Sequence, residues 1–183
     1  MAVSIKRIKV KKAEITAPKP LPDIEQWAVA WTKSRAEKAL CEYLQNRSVT
    51  CYLPLVKKRR VHGRHIRFSM VPLFPGYVFF NREAMERPAI FASHKVVKVI
   101  FADDSEKLRR ELVNISLALD SNQALKSSQF ALKGTPVRVV EGPFANLEGE
   151  FVRRRGKTVL IIKVTLLSRA VEMEIDEAMV EKL

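Results

Sequence analysis

Acidic residues are scarce in this 183-residue chain: twenty Asp and Glu stand against thirty-three Lys and Arg, leaving a formal charge of +13. An excess of that sign says nothing about fold and points to polyanionic partners, nucleic acid first among them. Cysteine is nearly absent. Cys41 and Cys51 have neither the number nor the spacing of a disulfide framework or a zinc site, and both are expected to be reduced, small apolar residues. Long hydrophobic runs are missing too: no stretch of about eighteen apolar residues occurs, and the N-terminus carries charge where an export signal would be apolar. Neither a membrane span nor a secretory leader is therefore expected, and the chain reads as soluble and cytoplasmic. The sequence also lacks a nucleophile beside an obvious base, a Gly-rich phosphate loop and any metal-ligand spacing. This disfavours an enzyme, with no catalytic residue, metal or cofactor expected. Asp103 and Asp104 with Lys107 offer a nuclease reading, but two acids before Ser105 are explained more simply as a helix start, where carboxylates accept from free backbone N–H groups. His62 and His65 have no acid or cysteine nearby to complete a metal site.

What the chain does contain is enough apolar residue, 47%, for a sizeable core, and enough length for two domains. Its organising stretch is Pro72 to Asn81, P-L-F-P-G-Y-V-F-F-N. Pro75 fixes its own φ and biases Phe74 towards extended geometry, Gly76 permits a turn or a close approach, and Tyr77 to Phe80 read as a strand apolar on both faces. Such a strand belongs in the centre of a covered sheet. Before it, Trp27, Val29 and Trp31 alternate with small residues as a strand with one heavy face, placing both indoles in a core or an interface. From Ser34 the period becomes helical, with Ser34 and Glu37 spaced as a capping box and the helix expected to reach Asn46. Thr50 to Leu55 reads as a second strand, put at an edge or ended by Pro54.

The segment from Val56 to Ser69 holds Lys57, Lys58, Arg59, Arg60, Arg64 and Arg67 and not one acid. Gly63 between two basic arms, with Val61, Ile66 and Phe68 alternating, predicts a projecting β-hairpin with like charge at its tip. Residues 1–25 add six cations against Glu14, Asp23 and Glu25 and are rich in proline, as in a disordered basic arm. Together these two appendages carry +9 of the +13, so the body is nearly neutral. This distribution favours directed phosphate contact, which supplies attraction and position without reading sequence.

Beyond the central strand, residues 83–86 suggest a short helix limited by Pro88, Lys95 to Phe101 a strand, and Asp103 to Leu119 a helix with Leu108, Leu112, Ile115 and Leu119 in one stripe. Hydrophobicity falls over residues 120–131, as in a flexible linker. The remainder reads as β: Pro136–Val140, Glu150–Arg153, Thr158–Val164 and Ala170–Ile175, with turns at Glu141-Gly142-Pro143 and Arg155-Gly156-Lys157. A β domain of this size avoids exposed edges by closing into a barrel.

The order W-A-V-A-W-T, a helix, L-P and F-P-G-Y-V-F-F resembles the N-terminal domain of the NusG family of transcription elongation factors. L-K-G-T-P-V-R-V-V-E-G-P-F-A-N-L-E-G-E-F is similar to that family's KOW motif, and S-R-A-V-E-M-E-I-D-E-A-M-V-E-K-L continues it to the C-terminus. The resemblance implies an α+β N-terminal domain (26–119) with a four-stranded antiparallel sheet flanked by helices, carrying the basic hairpin (56–69). The linker (120–131) would join it to a small all-β KOW barrel (132–183). It implies RNA polymerase as partner: a hydrophobic depression grips the clamp helices of the largest subunit, at positions matched here by Trp27, Leu53, Pro54, Phe74, Pro75, Gly76 and Tyr77. Bridging the cleft disfavours clamp opening, so pausing and termination fall. The hairpin, through Lys57, Lys58, Arg59, Arg60, Arg64 and Arg67, would approach the gate loop and DNA near the transcription bubble. The KOW barrel would recruit a ribosomal small-subunit protein or a termination factor, with contact expected at Phe144, Leu166 and Leu167. Leu167 stands where general NusG proteins often carry an aromatic residue, which with the very basic hairpin favours an operon-specialised paralogue of the RfaH or UpxY kind. The resemblance implies a monomer with no membrane partner. A protein that uses the KOW barrel and the hairpin on ribosomal RNA, in ribosome assembly or translation, is the alternative.

Overall fold

The computed structural model describes residues 21–62, 65–86, 89–120, 125–129, 134–154 and 156–183. Most of the basic arm (1–20), the hairpin turn Gly63-Arg64, Pro88, residues 121–124 and 130–133 and Arg155 lie outside the described residues.

The N-terminal domain is built on β1 (Trp27–Thr32), β2 (Cys51–Tyr52), β5 (Tyr77–Asn81) and β6 (Val96–Phe101), antiparallel in the order β2-β5-β1-β6. The strand from Tyr77 is central, as its two-sided apolarity requires. Val78 and Phe80 pack on one face with Leu40 and Leu44 of α1 (Glu37–Gln45) and with Ile90 of the short helix α2 (Ala89–Ala92). Phe79 packs on the other face with Trp27, Val29 and Tyr52, beneath α3 (Ser105–Asp120). Asp104 caps α3 by accepting from the Lys107 backbone N–H at 2.8 Å. Its buried stripe is Leu108, Leu112, Ile115 and Ala118, while Leu119 is only half-buried. Leu21 and Ile24 pack against the same cluster.

Two local expectations are corrected. The helix starts at Glu37 and no side-chain cap forms at its N-terminus. Arg35 adopts a left-handed φ of 59°, and Glu37 bonds elsewhere in the fold. Cys41 on α1 and Cys51 on β2 are joined in a disulfide, with Cα atoms 6.1 Å apart, rather than reduced. Residues 46–50 fold the strand back beside the helix, a proximity that spacing alone does not reveal. A crosslink over ten residues of sequence separation restricts the unfolded chain by roughly 2–3 kcal/mol. Adding a thiol reductant should lower the chemical denaturation midpoint accordingly, and coincident curves with and without reductant would show that the bond does not form in solution.

β3 (Leu55–His62) and β4 (His65–Pro72) form the hairpin as a separate two-stranded ribbon. In the C-terminal domain, β8 (Thr135–Val139), β9 (Glu148–Arg154), β10 (Lys157–Val164) and β11 (Arg169–Glu174) match the expected strands to within two residues. Two further strands enter the same sheet, β7 (Lys126–Gln129) and β12 (Val180–Lys182), giving the order β12-β8-β9-β10-β11-β7. β7 lies inside the stretch expected to be a flexible linker. It is polar, and it pairs through its backbone with Arg169–Glu172. Val137, Val139, Leu147, Leu160, Ile162, Val164, Val171 and Met173 form the interior. At Gly149 a Cβ would stand 2.8 Å from the Ile161 carbonyl oxygen, so only glycine permits β9 and β10 to approach there.

α3 joins the two domains, because it packs on both β1 and β10. Glu111 accepts from the Thr165 backbone N–H at 2.9 Å and also from its hydroxyl, and Asn114 accepts from the Glu148 N–H at 3.2 Å.

Candidate functional site

The FPGY turn is held from two sides. Gly76 has φ +89°, open to glycine and strained for other residues. Its N–H donates to the buried Glu37 carboxylate at 2.7 Å, and its carbonyl accepts from the Thr32 N–H at 2.8 Å. The next residue of α1, Lys38, donates to the Met70 carbonyl at 2.5 Å at the base of the hairpin. One helix therefore positions both the turn and the hairpin, and the disulfide ties that helix to β2.

The turn presents an aromatic patch at the end of β1 that α3 leaves open. Trp31 is 45% exposed and pairs in register with Tyr77. Its ring lies 3.6 Å from where a Gly76 Cβ would stand, Pro75 is exposed beside it, and Lys98 flanks it on β6. The matched positions named from sequence divide differently. Trp27 and Phe74 are buried under α3, where Trp27 meets Tyr52 edge-on at 6.3 Å and Phe74 meets Phe79 at 6.3 Å. Burial also pushes the Tyr52 phenol well above its ordinary pKa, so the ring stays neutral there. Pro54 is buried, and half-buried Leu53 packs with the α1 cluster on the opposite side of the sheet. The seven residues thus do not share one hollow; Pro75, Gly76 and Tyr77 reach the surface together, and Trp31 completes them. Trp31 was legible only as core or interface, since period-two alternation puts it on the same face as Trp27 without saying which end a helix covers.

The hairpin stands free of the sheet. Lys57, Lys58, Arg59, Arg60 and Arg67 are exposed, and no acid lies among its described residues. Lys57 sits over the Phe68 ring at 4.7 Å. Arg64 lies outside the described residues.

In the C-terminal domain, the three expected contact residues differ in burial. Phe144 and Leu167 are buried, Phe144 turning inward beneath the turn it was expected to crown and lining a shallow groove with Ile175 and Met179. Leu166 is half-buried and follows Thr165, the residue that Glu111 holds. Burial raises the Glu111 carboxyl above its ordinary value; the Thr165 bonds and Lys107 pull it down and Asp104 pushes it up, and the net direction is upward. A raised acid pKa means that the docked state holds the proton more firmly than the undocked one. Docking is then strongest below the ordinary glutamate range and weakens as pH rises through the raised value. Spin labels on the two domains should report more undocked protein at pH 7 than at pH 5, and Glu111→Gln should flatten that dependence. Equal populations at both pH values would contradict it.

Among the described residues no group of three or more His, Cys, Asp or Glu is placed to hold a metal ion, and no helix is long and apolar enough to cross a membrane. No curated protein matches the chain. Among solved structures, one titled "Domain interaction in Thermotoga maritima NusG" is similar at 19% identity and a TM-score of 0.44, over 86% of this chain and 97% of that one. A family model described as transcription termination factor NusG matches residues 25–116. That span runs from just before β1 into the last turns of α3, half of the sequence, and on that match the chain belongs to the NusG family.

Proposed function

We propose that this protein is a transcription elongation and antitermination factor that binds RNA polymerase through the Trp31, Pro75, Gly76 and Tyr77 patch. The observation that carries this reading is an exposed aromatic surface mounted on a turn fixed by Glu37 and Thr32. Aromatic anchors on a rigid support are what interface hot spots consist of, because little conformational freedom is lost on binding. The partner is the clamp helices of the largest subunit. A ligand with higher affinity for the closed clamp shifts the clamp towards closure by its differential affinity, and pausing falls. The hairpin, anchored beside the patch through Lys38, directs its cations at DNA near the transcription bubble. The C-terminal domain recruits a second partner, a small-subunit ribosomal protein or another factor, at the Leu166 surface. Because that surface adjoins the α3 contact, recruitment competes with docking. Reconstituted transcription over a pause site tests the proposal: saturating protein should shorten the pause and raise readthrough of a terminator, and unchanged lifetimes and readthrough would overturn it.

A further inference from the structure

The register of the hairpin sorts its side chains onto two unlike faces. Lys57 pairs with Met70, Arg59 with Phe68 and Val61 with Ile66; Lys58 pairs with Ser69 and Arg60 with Arg67. Cross-strand partners share a face and neighbours along a strand alternate. One face therefore carries Lys58, Arg60 and Arg67 beside Ser69 and His65, with no large apolar side chain beyond Val56 and Val71 at its base. The other mixes cations with three large apolar side chains that are strongly exposed: Val61 and Phe68 at 60% and Ile66 at 51%. Electrostatic attraction to phosphate explains the first face and leaves the second unexplained, because apolar surface held in water costs free energy that cations alone do not recover.

Resting on the reading of the hairpin as a nucleic-acid element, we propose that this mixed face is a stacking platform for the unpaired bases of a single nucleic-acid strand. Phe68 is the platform, Ile66 and Val61 extend it towards the tip, and Lys57 and Arg59 hold the phosphates on either side. Duplex DNA buries the faces of its bases and has no use for an exposed ring, whereas every unpaired base offers a π-face. Lys57 already lies over the Phe68 ring at 4.7 Å, which keeps one face of the ring cationic and leaves the remainder for a base. An anionic lipid surface is less well matched, because Lys57 and Arg59 interrupt the apolar side chains and prevent one continuous patch from entering the acyl region.

Fluorescence anisotropy with the full chain decides the matter, using labelled oligothymidylate, oligouridylate and a DNA duplex of equal length. Phe68→Ala should weaken binding of the thymidylate strand about tenfold, without changing its salt dependence and without altering duplex affinity beyond about twofold. Phe68→Trp should restore single-strand binding. Neutralising Lys58, Arg60 and Arg67 together should weaken both ligands and reduce the salt slope for single strands by about two. The thymidylate and uridylate arms separate DNA from RNA as the preferred strand. Equal losses on single strand and duplex with Phe68→Ala, no loss at all, or no rescue by Trp would overturn the platform, as would wild-type binding to anionic phosphatidylserine vesicles in preference to oligonucleotides. Shortened pauses in a protein whose Phe68→Ala variant binds single strands normally would refute this inference alone. Wild-type protein that binds neither strand nor duplex would refute the nucleic-acid role of the whole hairpin.

Discussion

Changing Trp31 and Tyr77 together to alanine is expected to weaken binding to RNA polymerase by at least roughly tenfold and to remove the effect on pausing, while leaving the fold intact. The size follows from hot-spot energetics, in which truncating one central aromatic costs about 2 kcal/mol or more, and a loss of about 1.4 kcal/mol is already tenfold. The stability half follows from position. Trp31 is 45% exposed and belongs to neither buried cluster, so its loss should change unfolding free energy by no more than about 0.5 kcal/mol. Tyr77 is half-buried against the main cluster, and its truncation should cost about 1–2 kcal/mol more, short of the roughly 5–15 kcal/mol that holds a domain together. Measuring affinity on immobilised polymerase alongside urea denaturation separates the two effects. A variant that binds normally would remove the patch from the interface, and a variant that unfolds would show that the patch is structural.

The contrasting substitution is Phe79→Ala. Phe79 is fully buried at the centre of β5, 6.4 Å from the Tyr52 ring and 6.3 Å from that of Phe74. Its removal opens a cavity where the sheet, α3 and the FPGY turn meet, so the surroundings cannot collapse without moving Phe74. Truncation of a buried phenylalanine costs about 3–5 kcal/mol, a large part of the roughly 5–15 kcal/mol that holds a domain together. The urea midpoint should fall by about 1–5 M, given slopes of about 1–3 kcal/mol per molar. Fluorescence of Trp27, buried within the same cluster, reports the transition. A shift under about half a molar would mean that α3 does not close over this side of the sheet. Read together, the two variants distinguish losing the surface from losing its support.

The elements that sequence reasoning located are those whose side chains write their environment into the pattern. β5 is apolar on both faces and is central; the hairpin alternates around a glycine and projects; the stripe on α3 is buried at Leu108, Leu112 and Ile115. Where the backbone or a distant partner decides, the pattern was silent or misleading. Glu37 fits a capping box by spacing, yet Gly76, thirty-nine residues away, takes its carboxylate. β7 has no apolar alternation, and it is paired with β11 through the backbone, so a polar stretch read as linker. Cys41 and Cys51 meet because a helix and a strand fold together, which their spacing does not encode. The aromatic patch was half legible for a related reason: the family motif pointed to Trp27 and Phe74, and only the position of α3 shows that these support the surface while Trp31 and Tyr77 form it.

The polar strand β7 also sets the leash between the two domains. With β7 zipped onto β11, five residues separate Asp120 from Lys126, and at roughly 3.4 Å per extended residue they span no more than about 17 Å. Peeling β7 away lengthens the connection to the thirteen residues that separate Asp120 from Gly134, whose N–H the Glu150 carboxylate accepts at 2.9 Å, and the same arithmetic gives a span of roughly 44 Å. Four residues of backbone pairing thus divide a short reach from a long one. A recruited partner that pulls on the C-terminal domain would meet a stepwise pay-out of chain before any strain reached the aromatic patch.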